Sequence, residues 1–290
     1  MPGPIADITA FFEPVTSTVT YLVADPATGQ AAVIDSVLDF DAASGHTATG
    51  SVERVADAVT ERGLTVAWLL ETHVHADHLS AAPWLRARLG GRIGIGERIR
   101  DVQARFGTLF NAEPTFGRDG RQFDHLFADG EDFAIGGLAA RAIATPGHTS
   151  ADVTYLIGDA AFVGDTLFMP DYGTARADFP GGDARALYHS IRRILALPPQ
   201  TRIFTCHDYC APGRDRHAWE STVAEQRAAN VHVHDGVGEE EFVALRTARD
   251  AKLDMPKLLI PAVQVNMRAG ELPPAEENGV RYLKIPVNTL

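Results

Sequence analysis

The apolar positions of this chain fall into short strand-like runs punctuated by turn residues, interleaved with stretches at helical spacing. Residues 19–24 and 31–35 read as strands, and Asp25-Pro26-Ala27-Thr28-Gly29 between them is turn chemistry, so the two form a hairpin. From residue 51 the period lengthens: Val52, Val55 and Val59 share one helical face, Ser51 is placed to cap that helix and Gly63 to stop it. An apolar strand over 64–71 follows, and then a helix over 79–89 ended by Gly90.

Further on, 133–144 is sheet-like, and 152–157 with 160–163 form a second hairpin around Gly158-Asp159. Asp183 caps a helix that puts Leu187, Ile191 and Ile194 on one face, and 202–205 is a short strand. Helical stretches at 217–229 and 239–253 precede a proline-rich tail, 256–290, with strand-like pieces at 258–260 and 281–286. Strands alternate with helices, but hairpins break any simple βαβ rhythm. The pattern predicts an α/β fold of sheets with helices outside, not a doubly wound parallel sheet. We expect one catalytic domain over 1–255 and a C-terminal tail, 256–290, packed on it.

Composition narrows the classes. With 290 residues, 45% hydrophobic and 22% charged, the chain is an ordinary globular protein. A formal charge of −12 argues against nucleic-acid or anionic-membrane partners, which need a basic surface. Cys206 and Cys210 are too few and too close for a disulfide scaffold, so a reducing cytoplasm fits. The N-terminal Met1-Pro2-Gly3-Pro4-Ile5-Ala6-Asp7 has neither the basic nor the apolar region of a targeting peptide.

Chemistry concentrates in loops. His73-Val74-His75-Ala76-Asp77-His78 packs three imidazoles and a carboxylate into six residues, which metal binding explains better than core packing does. His148 sits after Pro146-Gly147, Asp165 after Gly164, and His207 in His207-Asp208-Tyr209, each just beyond an apolar strand. Loops at one sheet edge converge in space, so these residues can meet on a rigid scaffold. Tyr209 would add a phenolic donor beside the site. Taken alone, His148 would be a structural histidine and Asp165 a helix cap as often as a ligand.

In this order the segment 72–78, Gly147-His148, Gly164-Asp165 and His207 resemble the metallo-β-lactamase superfamily, over about residues 19–209. The resemblance implies an αβ/βα sandwich, two facing mixed sheets with helices outside, and metals at one edge. In hydrolytic members such as glyoxalase II it implies two Zn(II) ions, one at His73, His75 and His148, the other at Asp77, His78 and His207, bridged by Asp165.

A narrower resemblance, to the persulfide dioxygenase branch, is carried by Gly164-Asp165-Thr166-Leu167-Phe168, by Gly173-Thr174-Ala175-Arg176-Ala177-Asp178-Phe179 and by His207-Asp208-Tyr209. It implies one Fe(II) per chain at His73, His148 and Asp165, with His75, Asp77, His78 and His207 reduced to supporting groups around it. A two-histidine, one-carboxylate face leaves adjacent positions open for dioxygen and a substrate sulfur, chemistry that redox-inactive zinc does not offer. The implied substrates are glutathione persulfide and O2, and the products sulfite and glutathione. A homodimer is compatible with all of this.

The same resemblance gives Arg176 and Asp178 an ion pair that shapes the loop beside the metal, with Arg176 and Tyr209 near substrate. Residues 264–270, Gln264-Val265-Asn266-Met267-Arg268-Ala269-Gly270, extend it towards the C-terminus, and Arg268 would meet a substrate carboxylate.

Overall fold

Seven residue pairs join β1 (Asp7–Glu13) to β2 (Thr18–Ala24), and β3 (Gln30–Ile34) pairs with β2 across the turn at 25–29. That turn is closed by Asp25, whose carboxylate accepts from the Thr28 hydroxyl at 2.6 Å and from the Gly137 amide of the opposite sheet at 2.7 Å. The computed structural model describes residues 5–289. Met1 to Pro4, which begin the segment read for a targeting signal, and Leu290 lie outside the described residues.

The chain continues through β4 (Val37–Asp41), β5 (His46–Ala48), α1 (Gly50–Glu61), β6 (Thr65–Leu70), β7 (Leu79–Ser80), α2 (Ala82–Leu89), β8 (Arg92–Gly96), α3 (Ile99–Leu109) and β9 (His125–Phe127). Its second half supplies β10 (Asp132–Ile135), β11 (Leu138–Ala144), β12 (Val153–Ile157), β13 (Ala160–Phe162), α4 (Ala184–Leu195), β14 (Arg202–Phe204), β15 (Glu220–Thr222), α5 (Val223–Ala229), α6 (Glu239–Asp250) and α7 (Leu259–Asn266).

Hydrogen bonding sorts the strands into two six-stranded sheets, β1-β2-β3-β6-β8-β9 and β10-β11-β12-β13-β14-β15, and a small sheet β5-β4-β7. Both large sheets are mixed: β3, β6, β8 and β9 run parallel to one another, as do β13 and β14. They face each other over one apolar layer in which Tyr21, Ile34 and Leu70 meet Tyr155, Ile157 and Phe162. Each such side chain, fully buried, contributes roughly 1.5–3 kcal/mol. Helices α1, α2, α3 and α7 cover the outer face of the first sheet, and α4 and α6 that of the second. This is the αβ/βα sandwich that the family resemblance implies, with the outer helices that the sequence pattern predicts. No helix among the described residues is long and apolar enough to cross a membrane.

Several local expectations are corrected. Ser51 does not cap α1; it lies inside the helix, and its amide is satisfied at 2.9 Å by Asp39 Oδ2 from β4, a cap borrowed from outside the local sequence. Residues 79–80 pair with β4 before α2 begins, and 220–222 form a sheet-edge strand before Thr222 caps α5 with a full capping box. In the tail, 258–260 belongs not to a strand but to the start of helix α7, and 281–286 forms no strand. The expected caps at Asp183, which accepts the amides of Arg185 and Ala186, and at Gly63, with φ +61°, are present.

Candidate metal centre

Four strands of the sandwich end at one edge, and each hands a polar side chain to the same place. β6 leads into 71–78, β11 into His148, β13 into Asp165 and β14 into His207. All the imidazoles concerned, His73, His75, His78, His148 and His207, are buried, as is Asp165. His73, His148 and Asp165 each present one ligand atom within 4.8 Å of the other two, and His148 Nε2 stands 3.5 Å from Asp165 Oδ2.

Hydrogen bonds settle which ring nitrogen faces inward. His148 Nδ1 lies 2.8 Å from the carbonyl oxygen of Arg176, which can only accept, so Nδ1 carries the proton and the Nε2 lone pair is free. For His73 the chain is longer: the Thr72 hydroxyl donates to Asp35 Oδ2 at 2.9 Å and therefore accepts from His73 Nδ1 at 3.0 Å, again freeing Nε2. Burial, with neighbouring His75 and His148, pushes the pKa of His73 well below its ordinary value, so this imidazole is neutral, as ligation requires.

The bend before His148 has its own requirement. Gly147 sits at φ +151° with the place of a Cβ only 2.3 Å from Leu187 Cα, so α4 packs directly on its backbone. No other residue fits there.

Around the triad lies a second layer. Asp77 Oδ2 accepts from the Thr18 hydroxyl at 3.1 Å and from His78 Nδ1 at 3.0 Å, and stands 3.5 Å from His207 Nε2. Burial would raise the pKa of Asp77, but His207 and His78 outweigh it and hold the carboxyl well below its usual range. His207 moves the other way: burial would lower it, and Asp165 with Asp77 raise it well above the ordinary value. His75 Nε2 donates to Asp35 Oδ1 at 2.9 Å.

Whether the donor set fits a metal is answered by its orphaned atoms. His73 Nε2, His75 Nδ1, His78 Nε2, His207 Nε2 and Asp165 Oδ1 are all buried with no hydrogen-bond partner. Leaving one such group unsatisfied costs about 1–3 kcal/mol, so their concentration in these loops favours a bound cation, with His73, His148 and Asp165 forming one candidate ligand group and His75, Asp77 and His78 another. Nitrogen and carboxylate donors of this kind suit iron, zinc or manganese.

Above the centre opens a cavity of about 1080 Å³, lined among others by His148, Asp165, Phe168, Arg176, Phe179 and Tyr209. Arg176 and Asp178 form a two-pronged ion pair at 2.6 and 2.8 Å, and the guanidinium lies 4.8 Å from the Phe179 ring, which in turn packs edge-on against His148. Tyr209 is half-exposed at the cavity wall, its ring stacked on His207 at 5.6 Å. Arg268, expected near substrate, is elsewhere: buried, paired with Glu113 at 2.6 and 2.9 Å and lying over Phe116. Its apolar surroundings leave Glu113 as its counterion, and it does not line the cavity.

Residues that sequence reasoning missed support the candidate ligands. Asp35, held in the left-handed region at φ +52°, accepts from the Thr72 amide at 2.7 Å as well as from His75. Asn266 in α7 donates to the carbonyls of His75 and His78 at 3.0 and 2.8 Å, which ties the tail to the ligand loop. The one sequence signal for Asp35 was its position at the end of an apolar strand, the same signal that marked the ligands.

Comparison with known proteins agrees with this geometry. Residues 14–207 match the family model described as the metallo-beta-lactamase superfamily. A probable metallo-hydrolase of Burkholderia pseudomallei is 57% identical over 98% of this chain and 99% of that one. Glyoxylase B2 of Dictyostelium discoideum is 47% identical over 98% of both chains. The mitochondrial persulfide dioxygenase ETHE1 of Homo sapiens is 33% identical over 89% of this chain and 87% of that one. This chain spans only 65% of the length of a beta-lactamase hydrolase-like protein of Xylella fastidiosa that it matches at 53% identity. Among solved structures, ETHE1 from Myxococcus xanthus superposes with a TM-score of 0.72 at 32% identity, covering 91% of this chain and 100% of that one.

Proposed function

This chain belongs to the metallo-beta-lactamase superfamily, and we propose that within it the protein is an iron-dependent persulfide dioxygenase that converts glutathione persulfide, O2 and water to glutathione and sulfite. The observation that carries this is the triad His73, His148 and Asp165, which can bring one ligand atom each to within 4.8 Å of the others, while Asp77 Oδ2 in the neighbouring group already accepts from Thr18 and His78. Similarity to proteins named persulfide dioxygenase supports the same assignment.

When bound, Fe(II) would be held by His73, His148 and Asp165 and would supply the redox chemistry between dioxygen and the persulfide. Four electrons pass from the persulfide to O2; two oxygen atoms of sulfite come from O2 and the third from water. The chain's own residues orient and exclude. The Arg176 carbonyl and the Thr72 hydroxyl keep two imidazoles in the ligating tautomer. Phe168 and Phe179 give the cavity floor an apolar lining that keeps bulk water from the reacting sulfur. Tyr209 offers a phenolic O–H at the wall, within reach of a substrate anion. Both cysteines are free, which suits a reducing compartment such as the cytoplasm.

A second reading, a dinuclear zinc thioester hydrolase of the glyoxalase II type, is favoured by the unpartnered His78 Nε2 and His207 Nε2 and by the similarity to glyoxylase B2. Metal analysis of protein purified without oxygen separates the two. We expect about one iron per chain; two zinc ions per chain would replace our proposal with the hydrolase.

A further inference from the structure

Most charged side chains lining the cavity already have partners within the protein. Arg176 is paired with Asp178, and buried Arg246 donates to Asp250 and to the Thr174 carbonyl. Asp39 accepts the Ser51 amide, Asp41 accepts from Ala43 and Ser44, and Glu13 from the amides of Val15 and Thr16. Asp77 and Asp165 belong to the metal centre. His46, without a hydrogen bond, faces Asp41 across the β4–β5 pair.

Two fixed cations in the lining stand apart. Arg249 and Lys257 are exposed and, among the described residues, form neither a side-chain hydrogen bond nor an ion pair. Arg249 lies three residues beyond Arg246 on α6 and so shares its cavity-facing side. Lys257 precedes Leu258, whose side chain packs in the same cluster as Leu38 and Phe40 of β4, so its backbone is fixed at the cavity rim. One unpaired surface cation would be ordinary. Two in the lining of one cavity, in a chain of net charge −12 whose other lining charges mostly have partners, offer an anion-binding surface.

We propose that Arg249 and Lys257 determine substrate specificity by receiving the two carboxylates of the glutathione moiety, so that its sulfur points to the His73, His148 and Asp165 end of the cavity. The assignment rests on the persulfide reading above for the identity of the thiol. Exposed Leu253 and half-exposed Tyr209 on the same lining would take the peptide's carbon atoms. A phosphate-bearing thiol such as coenzyme A presents related anion chemistry, and the test distinguishes it.

Titration calorimetry of the iron-loaded full chain with glutathione, glutathione diethyl ester and coenzyme A provides that test. We expect Arg249→Ala and Lys257→Ala each to weaken glutathione binding roughly tenfold, Arg249→Lys to retain most of it, and none of them to change the ester's Kd. Equal loss for glutathione and its ester, no loss for either, or a larger loss for coenzyme A would overturn the proposal. Oxygen uptake on the same samples reports separately on the chemistry. Charge-dependent glutathione binding without oxygen uptake refutes the dioxygenase and leaves carboxylate recognition standing; uptake without charge dependence does the reverse.

Discussion

The main-chain carbonyl of Arg176 accepts the Nδ1 proton of His148 at 2.8 Å, while the side chain of the same arginine grips Asp178. A loop-shaping ion pair is thereby coupled to the tautomer of a proposed ligand. Asp178 is 37% exposed on its side chain, so losing the pair should cost about 1 kcal/mol of stability or less. Metal affinity is more sensitive, because groups that orient ligands typically account for roughly 10–100-fold. Asp178→Ala should therefore leave the thermal midpoint within a few degrees while lowering iron retention against a chelator by roughly tenfold or more. A large fall in stability with unchanged retention would show the pair to be merely structural.

Gly147 allows no side chain. Alanine there would drive a Cβ to within 2.3 Å of Leu187 Cα at a strained φ of +151°. We expect Gly147→Ala to destabilise by roughly 3 kcal/mol and to displace His148, read as lower metal content in the fraction that still folds. Normal metal content and an unchanged urea midpoint would refute the packing.

His232 couples the same loop to pH. Its Nδ1 accepts the Thr174 amide at 3.0 Å, and burial, with Arg249 and Arg246 nearby, lowers its pKa to about 4. The unfolded chain takes up this proton near pH 6.5, the folded chain only near 4, so stability is fully present above pH 6.5 and is lost as pH falls between those values. His232 is only 5% exposed, so the loss is on the order of 3 kcal/mol. Asparagine offers an oxygen to Thr174 without titrating. In urea unfolding the stability of wild type relative to His232→Asn should fall as pH drops from 7 to 4.5; parallel curves would remove His232 from the account.

Asn266 holds three backbone groups, the His75 and His78 carbonyls and the Ser80 amide. Asn266→Ala strands all three in a buried place and should cost roughly 2–4 kcal/mol together with metal retention. If the variant unfolds at the wild-type urea concentration, the tail is not a support of the ligand loop.

Much of this was legible in the sequence because the candidate ligands follow strands whose apolar runs are unambiguous. The predicted strand over 64–71 is β6, seen as Thr65–Leu70, and the chain from it enters His73 directly. The gaps have physical causes. The β4–β5 hairpin at the cavity rim is short, polar and partly exposed, so it lacks the alternation that marks a half-buried strand. Leu258, Leu259 and Ile260, bounded by Pro256 and Pro261, look like a strand by run length; as a helix the run places Pro261 in the first turn, where its missing amide costs nothing. Arg268 was misread because its partner Glu113 lies 155 residues away, a pairing no local pattern reports.

The proposed chemistry stands most directly on oxygen electrode measurements of the iron-loaded protein with glutathione persulfide, with sulfite assayed in the same vessel and lactoylglutathione as the competing substrate. We expect one O2 consumed per sulfite formed, loss of both in Asp165→Ala, and negligible lactoylglutathione cleavage. Rapid lactoylglutathione hydrolysis with no oxygen uptake on the persulfide would contradict it.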